Sequence, residues 1–417
     1  MDFLYNIFSS ALALVLSPIL LFKMATNAAF RAEILERARV SPQLDASSGC
    51  VWFHAASVGE AQAAKIVIQA LRADKPKQAI ALSTFTRSGR EFALKEGLEP
   101  VFLAPLDLSL FVRPFLNRLQ PRLLVLIEAE FWPCLLRSCL NKGIPVLLVN
   151  GRMTEKTYTS YARFAWFFRW MTEGVVHFSM RGQEDADRIR NLGIDASRIS
   201  IAGNVKFDAL DSSSSQFKGS LIDSPLKITF GSTRPGDEGP IIEAMMKLRE
   251  QFSDLYCVIA PRHLERMSEV ERLIKEYGLD YKLHSRIGED DSDAPLILVD
   301  QMGVLKHYYS VASIAFVGGG FNPRFGGHNI LEPAAYNLPV LFGPHMNNFV
   351  EEARLLTESG GGWQLANVQA LYPALLELLE NSDERKRRGA AARKVLEENQ
   401  GAVEKSLEWI DEILDKE

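Results

Sequence analysis

Gly318-Gly319-Gly320-Phe321-Asn322-Pro323-Arg324-Phe325-Gly326-Gly327-His328-Asn329-Ile330-Leu331-Glu332-Pro333-Ala334 follows the apolar run Ile314–Val317. The run reads as a buried strand, and the spacing predicts a helix beginning near His328 or Asn329. Strand, glycine loop and helix start, in that order, bring backbone N–H groups close to an anion such as phosphate. Gly319, Gly320, Gly326 and Gly327 let the backbone approach without a Cβ in the way. Glu332 falls in the first helical turn, within reach of a sugar hydroxyl beside that anion. The loop has no Lys-Ser/Thr pair after its glycines, which excludes a P-loop.

Outward from this loop, strand and helix patterns alternate. In the second half Lys227–Phe230, Leu255–Ile259, Leu296–Val299, Ile314–Val317 and Val340–Phe342 read as strands. Three charged amphipathic helices close the chain, over Val368–Glu380, Glu384–Glu398 and Val403–Asp415. The first half has the same rhythm. Its strands are Cys50–His54, Ala79–Ser83, Val101–Leu103, Leu123–Ile127, Ile144–Val149, Val175–Phe178 and Ile199–Ile201, with helices over Ala61–Arg72, Ser88–Glu96 and after Pro133. Continuous apolar strands between helices imply parallel sheets covered on both faces. Asp208–Ser224, with its Ser212–Ser215 tract, has no apolar period and reads as a linker. The expected fold is α/β, with two doubly wound, Rossmann-like domains over 31–210 and 226–400 and a linker over 211–225. A helix over 401–417 is able to cross back to the first domain. Two such sheets are expected to bind ligands in a cleft beyond their strand C-terminal ends.

With 417 residues the chain has length for two domains of about 200 residues each. A net charge of −5 excludes a general nucleic-acid binder. Cys50, Cys134, Cys139 and Cys257 lack paired metal-ligand spacing and read as buried thiols of a reducing compartment. The histidines form no HxxxH pair, so no metal or cofactor is expected.

The first 30 residues stand apart. Phe3 to Phe22 carries no charge, a run of about 20 residues, long enough for a helix to cross a bilayer. Lys23, Arg31, Arg37 and Arg39 follow it, which places the residues after 23 on the cytoplasmic side of the membrane. Pro18 is equally compatible with a kinked helix lying on the surface.

Chemistry-bearing residues fall at the predicted strand ends. After the first strand, Ser57 and Gly59 form a turn and Glu60 enters the next helix. The helix N-terminus is expected to keep that carboxylate ionised, as a general base requires. A cap for its own helix is the other reading of Glu60. Glu128 and Glu130 end the buried strand Leu123–Ile127, where carboxylates are costly unless used or paired; Arg152, at the next strand end, is the expected partner of one. In the second half Ser232, Thr233 and Arg234 offer hydroxyls and a cation. Arg262 and His263 follow the second strand, with Arg266 a turn further, and Arg262 suits a phosphate or carboxylate. Absorbing a departing phosphate on N–H groups, Arg and a helix dipole needs no metal, which points to glycosyl transfer.

These segments together resemble the 3-deoxy-D-manno-octulosonic acid (Kdo) transferases of lipopolysaccharide assembly. The resemblance lies in His54–Glu60, Glu128–Pro133, Asn150–Met153, Gly203–Asp208, Gly231–Thr233, Pro261–His263 and Gly326–Ala334, in that order along the chain. It departs at Ala129 where Thr is common, Gly151 where Ala is common and Arg234 where His is common; Phe321 and Ile330 also differ. The resemblance implies a glycosyltransferase B fold and inverting transfer from CMP-Kdo to a lipid A precursor at a membrane surface. Glu60 matches the base. Arg262, the glycine loop to Gly327, Asn329 and Glu332 match the nucleotide contacts. Lys206, with Arg31, Arg37 and Arg39, is a candidate for the acceptor's phosphates. A UDP-sugar transferase and a nucleotide-sugar epimerase are the rivals on the same fold; the epimerase class has no use for the apolar N-terminus.

Overall fold

The computed structural model describes residues 2–38, 49–208, 226–287 and 294–415. The chain divides into two compact units. Unit 1 holds Met1–Ala209 with Gln400–Glu417, and unit 2 holds Leu210–Asn399. Apart from Asp208, the expected linker lies outside the described residues, as does Arg39.

Unit 1 opens with helices α1 (Asp2–Thr26) and α2 (Ala28–Ala38). It continues with β1 (Cys50–Ala55), α3 (Val58–Asp74), β2 (Ile80–Thr84), α4 (Arg87–Lys95), β3 (Val101–Leu103), α5 (Ser109–Leu119) and β4 (Pro121–Ile127). Then come α6 (Pro133–Asn141), β5 (Val146–Gly151), α7 (Glu155–Ala162), α8 (Ala165–Met171), β6 (Val175–Met180), α9 (Gln183–Asn191) and β7 (Ile199–Ile201). All seven strands pair in parallel, in the order β3-β2-β1-β4-β5-β6-β7. The all-apolar strands supply two cores at once. Trp52, Leu124, Leu126 and Leu148 pack on one face, and Phe53, Val125, Ile127, Leu147 and Val149 on the other. Side chains alternate across a strand, so a strand buried on both faces must be apolar at every position.

Unit 2 repeats the plan with β8 (Lys227–Thr233), α10 (Glu238–Arg249), β9 (Tyr256–Pro261), α11 (Met267–Glu276), β10 (Lys282–Leu283), β11 (Leu296–Leu298), α12 (Leu305–Val311) and β12 (Ile314–Val317). It ends with α13 (Leu331–Ala334), β13 (Val340–Phe342), α14 (Val350–Glu358), β14 (Gly362–Gln364), α15 (Leu371–Glu380) and α16 (Ser382–Asn399). Its parallel order is β10-β11-β9-β8-β12-β13-β14. The edge strands β10 and β14 escape the pattern reading because they are two and three residues long and partly polar. The final helix, α17 (Ala402–Asp415), belongs to unit 1. It packs on α3, β4 and β5, and buries Ala402, Ile410 and Leu414.

Strand order reverses beside β1 and β4 in unit 1, and beside β8 and β12 in unit 2. Those switch points leave open crevices at the strand C-terminal ends. The two parallel α/β units match the expected fold class. Among the described residues no helix is long and apolar enough to cross a membrane, so the expected membrane helix over Phe3–Phe22 is not shown. Several α1 side chains between Phe3 and Leu16 lie outside the described residues.

Candidate functional site

At the switch point of unit 1, β1 runs into Ala56-Ser57 and α3 begins. Ser57 is the N-cap, its hydroxyl accepting from Glu60 N–H at 3.4 Å. The Glu60 carboxylate accepts from Ala56 N–H at 2.7 Å and from the Ser57 hydroxyl at 2.8 Å. Ser57 and Glu60 thus form a close variant of the capping box. Gly59 is exposed in the same turn. Burial, then the neighbouring Glu130 and more weakly Glu128, push Glu60 up to about 7, against the pull of its two hydrogen bonds. This reverses the expectation that the helix N-terminus keeps Glu60 fully ionised: desolvation and like charge outweigh the helix end.

Glu128 and Glu130 follow β4, half-buried. Glu130 accepts from Trp132 Nε1 at 2.8 Å, and burial raises its pKa. Glu128 sits at φ +67° and pairs with Arg181 at the end of β6, not with Arg152. Arg152 is exposed, because Asn150 at φ +57° turns the chain as β5 ends. Trp132 also stacks edge-on against His54, 5.6 Å between centroids, and Phe85, 4.9 Å. His54 is fully buried, and burial holds it down near 4, so it is neutral. Lys206 is half-buried in a 3-10 turn, Val205–Phe207, that packs on α3.

At the switch point of unit 2, the loops after β8 and β12 meet. Asp237 organises them: one carboxylate oxygen accepts from Arg234 N–H and from Gly319 N–H, both at 2.8 Å. Burial pushes Asp237 up to about 6. Gly318 N–H is likewise spent on Gly231 O, and Gly327 N–H on Gly319 O. The first glycines therefore shape the loop rather than present N–H groups, while Gly320 lies against Gly343. The helix expected near His328 is only the four-residue α13, too short for a strong dipole. Gly326, His328 and Asn329 N–H groups have no partner among the described residues and are the N–H groups of this loop left over for a ligand.

Around that loop lies a cationic cluster. Arg234 donates through Nε to His328 Nε2 at 2.9 Å, and its guanidinium lies 5.0 Å from the Phe325 ring centroid. Burial, then Arg234, Arg262 and His263, hold His328 down near 4. Neutral His328 accepts at Nε2 and so carries its proton on Nδ1. Arg262 and His263 are exposed. Ser232, at φ +54°, is half-buried. Thr233 departs from expectation: it is fully buried and its hydroxyl donates to Glu238, as does Arg266. Both hold the loop instead of facing a ligand. Glu332 accepts from Asn329 Nδ2 at 3.3 Å, and burial raises its pKa against the nearby Lys306 and Arg262. His328, Asp237, Arg181, Asn150 and Asn204 were not singled out as site residues in the sequence. His328, Asn150 and Asn204 lie inside the motifs quoted above and Asp237 a turn beyond one, and that was their only signal. Among the described residues no group of His, Cys, Asp or Glu could hold a metal ion.

Two doubly wound units with their polar residues at the switch points define the glycosyltransferase B class of fold. MurG of Acinetobacter baumannii is similar, at TM-score 0.54 and 14% identity over 87% of this chain and 99% of that one. So is the UDP-GlcNAc 2-epimerase of Neisseria meningitidis bound to UDP-GlcNAc, at TM-score 0.54 and 14% identity over 88% and 100%. A transferase and an epimerase share the fold, so the fold alone does not separate them. Sequence does. A family profile described as 3-deoxy-D-manno-octulosonic-acid transferase matches residues 32–209. The 3-deoxy-D-manno-octulosonic acid transferase of Haemophilus influenzae is 31% identical over 378 residues, 88% of this chain and 87% of that protein. The chain belongs to the Kdo transferase family. A bifunctional glycosyltransferase/methyltransferase of Fusobacterium nucleatum is 32% identical over 80% of this chain, which spans only 53% of that relative.

Proposed function

We propose that this protein transfers Kdo from CMP-Kdo to a lipid A precursor, with inversion and without a metal. The observation that carries the reading is the pairing of family membership with the cationic crevice of unit 2. There Arg234, Arg262 and the N–H groups of Gly326, His328 and Asn329 suit the leaving phosphate, and Glu332 suits the ribose hydroxyls. Ser232 and His263 flank Thr233 and Arg262 in these loops, and Glu130 and Glu128 lie near Glu60 in unit 1, with Arg152 and Lys206 offered to the acceptor from the segments that follow β5 and β7.

Glu60 is the proposed base. Its pKa near 7 is matched to proton abstraction at neutral pH. The acceptor hydroxyl gives its proton to Glu60, and its oxygen bonds to the anomeric carbon. The bond from that carbon to the phosphate oxygen breaks, and the electron pair leaves on the phosphate of CMP. The carbon passes through oxocarbenium character, as in other glycosyl chemistry. The test is incubation with CMP-Kdo and a tetraacyl disaccharide bisphosphate lipid, followed by mass spectrometry. Acceptor heavier by Kdo units supports the reading; no addition, or competition by UDP as strong as by CMP, sinks it.

We further propose attachment to the cytoplasmic face of the inner membrane through α1 lying in the interface. Both ends of the α1–α2 pair are tied to unit 1. Asp2 bonds Arg137, Asn141 and Trp170, and Arg87 donates to Ala29 O and pairs with Glu33. Between those ties Leu14, Val15, Ile19, Leu21 and Phe22 are exposed. A helix held at both ends against one body suits lying flat better than spanning. Flotation with anionic vesicles tests this; Leu14, Val15 and Phe22 changed to Ser should release the protein, and unaltered flotation counts against α1.

A further inference from the structure

Three neighbouring strand ends of unit 1 carry buried donors with no acceptor: Asn150 Nδ2, Asn204 Nδ2 and Arg181 Nε. Asn150 is 1% exposed, Asn204 3% and Arg181 8%. Backbone contacts bring the three together. Arg181 N–H donates to Gly151 O at 2.9 Å. Val205 N–H donates to Asn150 Oδ1 at 3.2 Å, and Lys206 N–H to Asn204 Oδ1 at 3.2 Å. The last two bonds fix both carboxamides, because a carboxamide nitrogen does not accept from an N–H. What is left over is therefore the NH2 end in each case. The Arg181 guanidinium reaches Glu128 through Nη2 while its Nε–H stays unused. The turn carrying Lys206 packs on α3, the helix of Glu60.

Leaving a buried donor unpaired is costly, so three at one place call for an occupant. The leftover groups are all donors, one of them on a guanidinium. That set selects an oxyanion over a neutral hydroxyl group, and charge-assisted bonds of this kind are the strong ones. We propose that Asn150, Arg181 and Asn204 form an oxyanion subsite beside the Glu60 helix, taking a carboxylate or phosphate of the substrates. The inference rests on the transferase reading, which supplies one of each: the carboxylate of the acidic sugar and the phosphates of the lipid acceptor.

Asn150→Asp and Asn204→Asp keep the Oδ1 acceptor and replace only the unused NH2 by oxygen. Once melting curves show folded protein, donor and acceptor are varied separately, the acceptor with and without its phosphates. If the subsite takes the sugar carboxylate, KM for CMP-Kdo rises about tenfold or more, while inhibition by CMP, which lacks that carboxylate, is unchanged. If it takes phosphate, KM rises by a similar factor for the phosphorylated acceptor alone. Values within about twofold of wild type for every substrate overturn the subsite. Arg181→Lys, which keeps a cation for Glu128 but removes Nε–H, gives the same readout should an Asp variant not fold. Side-chain NH2 resonances of Asn150 and Asn204 in the wild-type protein provide a second readout. They shift on adding free Kdo or inorganic phosphate if the subsite exists, and stay fixed if it does not. That result is independent of turnover, so an inactive wild type would count against the transfer reading and leave the subsite to be judged on binding.

Discussion

Desolvation sets the acidity of Glu60 more strongly than the helix end it caps. The sequence spacing Ser57-x-x-Glu60 displays the cap, but burial and the approach of Glu130 are tertiary facts with no local signal. The consequence for activity is a rising limb in kcat/KM near pH 7, since a base must be ionised and Glu60 is pushed up to about 7. Glu130→Gln removes the like charge that raises Glu60 more and moves that limb toward acid; a limb that stays in place counts against Glu60 as the titrating group. Glu60→Gln lowers kcat by about 10²–10⁴ and leaves CMP binding unchanged, because CMP is assigned to unit 2. The same variant has a stability signature. The folded pKa is raised above the ordinary 4.5, so ionising Glu60 costs the folded state more as pH climbs from there through 7. Glu60→Gln is therefore more stable than wild type at pH 8, by on the order of 1 kcal/mol, and the gain vanishes below pH 4.5. Thermal unfolding across that range checks the sign.

At the level of elements, the loop after β12 is built against the loop after β13. A Cβ on Gly343 would lie 2.3 Å from Gly320 C and 2.4 Å from Gly320 O. Those are backbone atoms, and His345 N–H to Gly320 O at 2.9 Å ties the same pair. At that contact no flexible side chain stands in the way to give. Gly343→Ala should cost about 3 kcal/mol, lower the melting temperature of unit 2, and weaken CMP binding; calorimetry that shows CMP affinity intact would separate the glycine loop from the nucleotide site. The sequence announced the Gly318–Gly320 run and the Gly326–Gly327 pair but not their contact with Gly343, which lies in a separate run with a routine Gly-Pro turn. The same limit applies to Glu128. Its partner was sought at Arg152, the cation at the next strand end, and found at Arg181, supplied by the strand beyond. Periodicity names strands and their ends with fair accuracy. Which end faces which is decided by sheet order and by the left-handed turns at Glu128 and Asn150, and these leave no composition trace.

For the molecule as a whole, the alternation of apolar strands and helices was enough to give two parallel sheets, while the address of the last helix was open in the sequence. α17 completes unit 1 from the far end of the chain. Ile410 and Leu414 join the core that contains Val67, Ile68 and Val149. Trp409 stacks on His177 at 3.5 Å. Asp208 accepts from Gly401 N–H and Val403 N–H, both at 2.6 Å, and so caps the start of α17. Two large buried apolar side chains contribute about 1.5–3 kcal/mol each, and a side-chain cap about 1 kcal/mol. Their sum approaches the 5–15 kcal/mol total typical of a folded domain. A chain ending at Asn399 should therefore lose the cooperative unfolding transition of unit 1 and all transfer, yet keep CMP binding, because unit 2 ends at that residue. Asp208→Asn is the milder case: one acceptor oxygen survives, and the transition of unit 1 should fall by only a few degrees. Differential scanning calorimetry with and without CMP distinguishes the two units, since ligand raises only the transition of the unit that binds it. A truncated chain that still unfolds in two steps, the CMP-insensitive one unmoved, would show that α17 is dispensable to the core of unit 1.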